Sequence, residues 1–377
     1  MDLAIVVGTR PEIIKMSPVI KACEAQGVGY TLIDTKQHYS DNMSSAFYDD
    51  LELRPPDHVL ATKTGSHGTQ LGSMLPQLEE ILQNKPHTTV IVQGDTNTVL
   101  AGALTASRQG VAVAHVEAGL RSRDRTMPEE INRILVDNIA KYLFAPSNET
   151  VDNLRQEGIA ETAVWNVGNT IVDATLDGIE LAKKKSATDT KPKSDYLLLT
   201  LHRPANVDDP VVLKEILAGV AAVMKAYQLP ALFPVHPRTR QRIASFGLAL
   251  PKDLQLIDPV GYLDFLMLES GASLILTDSG GIQEEACIMH VPCVTLRNNT
   301  ERPETIMVGA NILGGTEQQG IRQAADVMLG LPTSWGIPYG DGKTGERILN
   351  ILTEASEPYT TNNATTVGAR GLYETAK

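Results

Sequence analysis

The stretch SLILTDSGGIQEE (273–285) joins a short apolar run to a Gly-Gly turn and the start of a helix. A strand that turns sharply into a helix is the unit from which parallel α/β sheets are built. Its polar residues suit an anion. The Ser279 hydroxyl and the backbone N–H groups near Gly280 and Gly281 could hold a diphosphate at the positive end of the helix. Glu285, one turn further on, could then accept from ribose hydroxyls. The plainer alternative is a serine that caps an ordinary helix. A hydrolase nucleophile at Ser279 is the weaker reading, because the GxSxG elbow is missing.

The same alternation extends outward. Short Val-, Ile- and Leu-rich runs at 196–202, 231–236, 254–258, 292–297 and 310–314 predict further strands separated by helices. Ahead of them, KKKSATDTKPKSD (183–195) reads as a linker. A second series precedes it, with strands expected at 2–8, 30–35, 88–94, 111–117, 142–146 and 163–167. Helical spacing occupies 11–26, 67–85, 97–109 and 128–141, the last opened by Pro128-Glu129-Glu130. The expected fold class is α/β, with two similar parallel-sheet halves facing a central cleft as the default ligand site. From about 355 the periodicity fades into a tail.

A length of 377 residues suits two domains. Thirty-three Lys and Arg against 45 Asp and Glu leave a charge of −12, which argues against nucleic-acid or anionic-membrane partners. No apolar run reaches the ~18–20 residues of a membrane span. The N-terminus lacks the basic start and apolar core of a signal peptide, so a cytoplasmic protein is expected. Cys23, Cys287 and Cys293 read as small buried thiols. GxGxxG, HExxH and paired CxxC motifs are missing. Gly336 and Gly342-Lys343-Thr344 miss the P-loop spacing and follow no strand. Neither a metal nor a cofactor is expected.

In the first half, polar residues collect at strand ends. Gly8-Thr9-Arg10-Pro11-Glu12, with Lys15 a turn later, offers free amides at a helix start and two cations. This is either an anion-capture site or a solvated first turn. Asp95, Glu117 and Glu129-Glu130 follow neighbouring strands, and carboxylates held close together suit proton transfer. Helix capping could account for Asp95 and Glu129, but poorly for Glu117, whose strand runs into glycine. In the second half, His202 and His236 end strands, where a lone histidine is more often structural. Thr300-Glu301-Arg302-Pro303-Glu304 adds a cation and carboxylates. Carboxylates from one half and a diphosphate cradle from the other fit a two-domain enzyme acting on a nucleotide sugar.

GTRPEIIK (8–15), QGDTNT (93–98), HVEAGLR (115–121), MPEEINR (127–133), GNTIVDA (168–174), TDSGGIQEE (277–285) and TERPE (300–304) together resemble the non-hydrolysing UDP-N-acetylglucosamine 2-epimerases, in order from about residue 3 to 352. The resemblance implies a GT-B-like pair of Rossmann-like domains. Residues 1–170 would carry the catalytic carboxylates and 171–344 would bind UDP. A C-terminal helix at about 345–355 would cross back to the first domain, and 356–377 would form a flexible tail. It also implies reversible conversion of UDP-GlcNAc to UDP-ManNAc without a redox cofactor. UDP would be eliminated to leave 2-acetamidoglucal, then re-added with the proton delivered to the opposite face.

By the same resemblance Asp95, Glu117 and Glu129 match the catalytic acids. Arg10, Lys15 and His202 match contacts to diphosphate or sugar, with His202 counted in the catalytic set. Ser279, Gly280 and Gly281 match the diphosphate cradle, Glu285 the ribose contact, Arg302 a further substrate contact and Phe265 a position near the uracil. Gln37, His38 and Gln70 partly match a second, activating nucleotide-sugar site, from which Ser40 and Thr69 depart. Pro204-Ala205-Asn206 stand where many relatives have an acidic residue, and Val260 where many bacterial enzymes have Gln. A homodimer is implied. The alternatives are a hydrolysing epimerase, an epimerase of a modified UDP-sugar such as a 2,3-diacetamido uronic acid, a GT-B glycosyltransferase and a non-catalytic UDP-sugar sensor.

Overall fold

A computed structural model describes residues 2–37, 44–185 and 195–354. His38, most of the expected linker and the 356–377 tail lie outside the described residues. The chain begins with β1 (Asp2–Val7), α1 (Arg10–Gln26), β2 (Gly29–Asp34), α2 (Ser44–Asp50), β3 (His58–Val59) and α3 (His67–Asn84). It continues through β4 (Thr89–Gln93), α4 (Asn97–Arg108), β5 (Ala112–Val116), α5 (Pro128–Ile139), β6 (Tyr142–Ala145), α6 (Asn148–Gln156), β7 (Val164–Asn166) and α7 (Thr170–Lys185). The second series runs β8 (Leu197–Thr200), α8 (Pro204–Val207), α9 (Pro210–Tyr227), β9 (Ala231–Pro234), α10 (Pro237–Ser245), β10 (Leu254–Ile257) and α11 (Tyr262–Ser270). It ends with β11 (Leu274–Thr277), α12 (Gly280–Ile288), β12 (Cys293–Thr295), α13 (Pro303–Met307), β13 (Asn311–Leu313), α14 (Gln318–Gly330) and α15 (Thr344–Glu354).

The strands form two parallel sheets, ordered β3-β2-β1-β4-β5-β6-β7 and β10-β9-β8-β11-β12-β13. In each, strand order reverses beside the founding strand, between β1 and β4 and between β8 and β11. The carboxyl ends of the strands open a crevice there. Side chains alternate across the first sheet. Leu3, Ile5 and Val7 pack with Met16, Ile20 and Leu181 on one face, and Ala4 and Val6 with Met74, Leu78 and Val99 on the other. The second sheet does the same, with Leu197 and Leu199 against Leu213 and Val220 and Leu198 against Leu268 and Ala286. This two-faced burial explains why the strands read as continuous apolar runs. The two expected sheets are present, each expected strand lying within its stretch or one residue from it. Several strands are shorter than the apolar runs that announced them. β3, two exposed residues long, carried no apolar signal. Among the described residues no helix is long and apolar enough to cross a membrane.

The last helix belongs to the first sheet's core. Ile348, Leu349 and Leu352 of α15 join the cluster of Leu3, Ile5 and Met16. Two features let α15 sit this close to α1. A Cβ on Gly345 would lie 2.6 Å from the Pro18 carbonyl, and the Gly345 amide donates to Asp173 Oδ1 on α7 at 2.9 Å. Pro18 lacks the N–H that would serve Ile14, and the Ser17 hydroxyl donates to that carbonyl instead at 2.8 Å. Gly345→Ala must push α15 off α1 and should cost about 1–3 kcal/mol in denaturant unfolding. Unchanged stability would refute this close docking.

Candidate active site

Between the carboxyl ends of the two sheets lies a cavity of about 300 Å³. Thr9, Glu12 and Lys15 line it from α1, Asp95 and Thr96 from the end of β4, Glu117 from the end of β5 and Arg133 from α5. Ser279, Gly281 and Glu284 of the α12 start and Arg302 face them from the second sheet. A larger hollow of about 530 Å³, lined by Met224, Lys225, Gln228 and Asp253 among others, holds none of these groups, so size does not locate the chemistry.

Glu117 is the centre of the charged floor. Its backbone is left-handed, φ 71°, a conformation that costs a non-glycine residue about 1–2 kcal/mol. Both its amide and that of Ala118 donate to the Phe144 carbonyl at 3.1 Å, which holds this turn. Lys15 Nζ lies 2.7 Å from Glu117 Oε1, Arg302 Nη2 lies 3.4 Å from the same oxygen, and Gln93 donates to Oε2. Burial pushes the Glu117 carboxyl up, but Lys15 and Arg302 outweigh it and hold it below the usual range. Burial likewise opposes charge on Lys15, and Glu117 with Glu284 outweighs it, so the ammonium is held above its usual range. Both partners shift in the sense of an intact ion pair.

Asp95 pairs with Arg133, which also holds Glu130 at 3.0 Å. Glu130 is occupied further by the amides of Ser122 and Arg123 at 2.8 and 2.9 Å. Capping does not explain Asp95, since Thr96 caps α4. His115 fixes the backbone beside it. Its Nε2 lies 2.8 Å from the Gly94 carbonyl and its Nδ1 2.6 Å from Asp137 Oδ1. The ring thus bridges the end of β4 to α5. Glu129 does not line the central cavity. It faces an adjoining hollow with Gln37, His67, Gln70 and Asn97, and Asp95 borders both spaces. Gln37 is committed to the start of α4, accepting from the Thr98 amide and hydroxyl at 2.8 Å, and Gln70 accepts from Asn97 at 2.7 Å.

One expectation needs correction. The amides at the Gly8 turn are not left open for an anion, because Glu12 Oε2 accepts from Gly8 and Thr9 at 2.6 and 3.0 Å. The Thr9-x-x-Glu12 pattern of a capping box was the overlooked signal. Arg10 instead stacks over the Phe47 ring at 5.7 Å.

In the second domain, Ser279 stands before α12 but its side chain makes no capping bond, so its hydroxyl is not spent on the helix. His202 Nδ1 lies 3.0 Å from Asp278 Oδ1. The buried Asp278 also accepts from the amides of His202 and Arg203 and from Asn206, which holds the ring at the cleft mouth. His236 caps α10 through Nδ1, a structural role. Glu285 points away from the cavity lining towards Tyr262 and Glu269, and burial with the charge of Glu284 pushes its carboxyl up to about 8. Phe265 is half-buried against the core cluster of Leu198, Leu268 and Ala286. Sequence reasoning missed Glu12, Arg133, Asp278 and Glu284 as parts of the site. Among the described residues no group of His, Cys, Asp and Glu is arranged to hold a metal ion.

The family model for UDP-N-acetylglucosamine 2-epimerase matches residues 21–353. The UDP-N-acetylglucosamine 2-epimerase of Methanocaldococcus jannaschii is 51% identical over 94% of this chain and 99% of its own length. Its crystal structure in complex with UDP-GlcNAc and UDP aligns with a TM-score of 0.86 over 94% of this chain and 100% of that one. The UDP-2,3-diacetamido-2,3-dideoxy-D-glucuronate 2-epimerase of Pseudomonas aeruginosa is 42% identical over 93% of this chain and 99% of its own.

Burial pushes the Glu12 carboxyl from an ordinary 4.5 up to about 8. A carboxyl that holds its proton more tightly when folded contributes fully below the unfolded value. That stability is lost as pH rises from 4.5 through about 8. Thermal stability should therefore fall between pH 5 and pH 8. Glu12→Gln, an isostere of the protonated acid, should reduce that fall by about 2 °C or more in Tm. A slope unchanged in the variant would contradict a neutral Glu12.

Proposed function

This chain belongs to the UDP-N-acetylglucosamine 2-epimerase family, and we propose that it converts UDP-GlcNAc and UDP-ManNAc into one another at C2 without hydrolysis. The observation that carries the reading is the facing of Asp95 and Glu117 against the start of α12 across one cavity. The relative crystallised with UDP-GlcNAc and UDP supports a nucleotide sugar there.

The C2 proton has no neighbouring carbonyl to acidify it, so direct abstraction is hard. Departure of UDP from C1 supplies the driving charge. The C1–O bond breaks as the C2–H proton passes to a carboxylate, leaving 2-acetamidoglucal and UDP in the cleft. Re-addition reverses both steps, with the proton returned to the other face of C2. Asp95 and Glu117, which line the cavity, are the proposed proton carriers, joined by Glu129 only if its side chain turns in from the adjoining hollow. Lys15, Arg302 and the His202 ring held by Asp278 favour the departing diphosphate, whose cradle is Ser279 and the amides of Gly280 and Gly281. Glu285 would reach the ribose only by leaving Tyr262 and Glu269, Phe265 lies towards the uracil, and Arg10 assists the diphosphate by leaving Phe47. The adjoining hollow that Gln37 and Gln70 line is the proposed second nucleotide-sugar site. A cytoplasmic location fits such a substrate.

We assign a homodimer to the face of α5. Ile131, Leu135 and Ile139 repeat along it, 47%, 47% and 37% exposed, and Leu104 of the adjacent α4 is 39% exposed. An apolar stripe at this spacing on an otherwise polar surface is the geometry of a helix contact. Leu135→Glu should convert a dimer to monomer in sedimentation; a wild-type monomer would remove the assignment.

Incubation with UDP-GlcNAc in D₂O should yield UDP-ManNAc with deuterium at C2 of both nucleotide sugars. Free UDP with ManNAc would place the chain with hydrolysing enzymes, and inertness would redirect the test to diacetamido uronic UDP-sugars. Asp95→Asn and Glu117→Gln should each cut the rate by about 10²–10⁴. Near-normal turnover in both would sink the roles given to them. A hyperbolic rate curve against UDP-GlcNAc in the same assay would argue against the second site.

A further inference from the structure

Glu284 has no role in the chemistry above, yet its side chain is 1% exposed in the cavity wall. Its Oε1 lies 2.7 Å from Arg302 Nε and accepts from Asn169 Nδ2 at 3.2 Å. Its Oε2 makes no hydrogen bond, and its cationic neighbour is Lys15 Nζ at 3.5 Å. Lys15 and Arg302 are also the two cations on Glu117 Oε1, at 2.7 and 3.4 Å. Two carboxylates thus share two cations across the junction of the sheets. The first sheet supplies Lys15 and Glu117, the second Glu284 and Arg302.

We infer that Glu284 is a positioning residue for Glu117: it holds Lys15 and Arg302 from the far side and, by sharing their charge, keeps Glu117 basic enough to take a proton. The inference rests on the epimerase reading. The groups facing Glu117 are Lys15 from α1, Gln93 from β4, Arg133 from α5 and Arg302 from the loop before α13. Three are cations, and Glu284 is the anion that offsets two of them. Without it, their charge falls wholly on Glu117, which then surrenders basicity. Attraction between buried charges is strong enough for a shared counter-ion to matter.

Glu284→Gln keeps the side-chain shape and removes the charge. The rate kcat should fall about 10–100-fold without a rise in KM, because the lost charge weakens proton transfer by Glu117 while Lys15 and Arg302, no longer shared with Glu284, still hold the diphosphate. The acid limb of the kcat profile should move to lower pH. In a Glu117→Gln background the same change should cost less than about threefold, since its route runs through Glu117. Glu284→Asp, retaining the charge, should keep the wild-type acid limb, and it carries the test if the Gln variant does not fold. UDP affinity by calorimetry checks the fold of each variant. Equal losses in both backgrounds, an unmoved acid limb, or a raised KM at constant kcat would overturn the inference. Wild-type deuterium exchange at C2 reads the epimerase assignment by itself, and only the differences between variants read Glu284.

Discussion

The ion pair between Lys15 and Glu117, 2.7 Å long and largely buried in the cavity wall, is the constraint on which the cleft depends. Moving either charge out of water costs several kcal/mol, and removing one partner leaves the other stranded. The pair therefore exists only where further charges of the right sign complete it, and those come from the opposite sheet. Arg302 approaches Glu117 as Glu284 approaches Lys15. Each domain brings one cation and one anion, so neither surface carries a surplus alone. Ser147 and Glu304 add a polar tie between the domains beside this core of charge at 3.1 Å.

Rigidity in the backbone matches this demand. Glu117 occupies a left-handed conformation just where its strand ends, and Gly119 follows with φ 82° in a space where a Cβ would meet the Thr150 carbonyl at 2.4 Å. His115 ties the ends of β4 and β5, with Asp137 drawing in Arg121 at 2.8 Å. Strain in the carboxylate's own backbone is tolerated because the surrounding bonds over-determine it. The aim of the carboxylate is thus set by the fold and not by a free rotor.

Much of this was legible in the sequence. Sheets buried on both faces leave long apolar runs, so all strands but β3 could be found, and motif strings placed Asp95, Lys15, Glu117, Ser279 and Arg302 on one cavity. What escaped was pairing. Glu284 and Glu285 are adjacent on one helix, about 100° apart around its axis, and nothing in their spacing says which faces Lys15 and which faces Tyr262. Asp278 reads as part of a turn until its carboxylate is seen under His202. Glu130 gave no sign in the sequence that it would be held by Arg133 and the amides of Ser122 and Arg123. Periodicity reports burial along one element, whereas these partners arrive from elements far apart in the chain.

The crossing of α15 has a consequence for how the molecule is made. A domain synthesised first ordinarily completes its core first. Here the cluster under β1 is closed by Ile348, Leu349 and Leu352, residues that leave the ribosome after the entire second sheet. Until those residues are made, the core on that face of the amino-terminal sheet lacks its last helix. The two halves, separate in sheet topology, are thus joined by a core that the end of the chain completes.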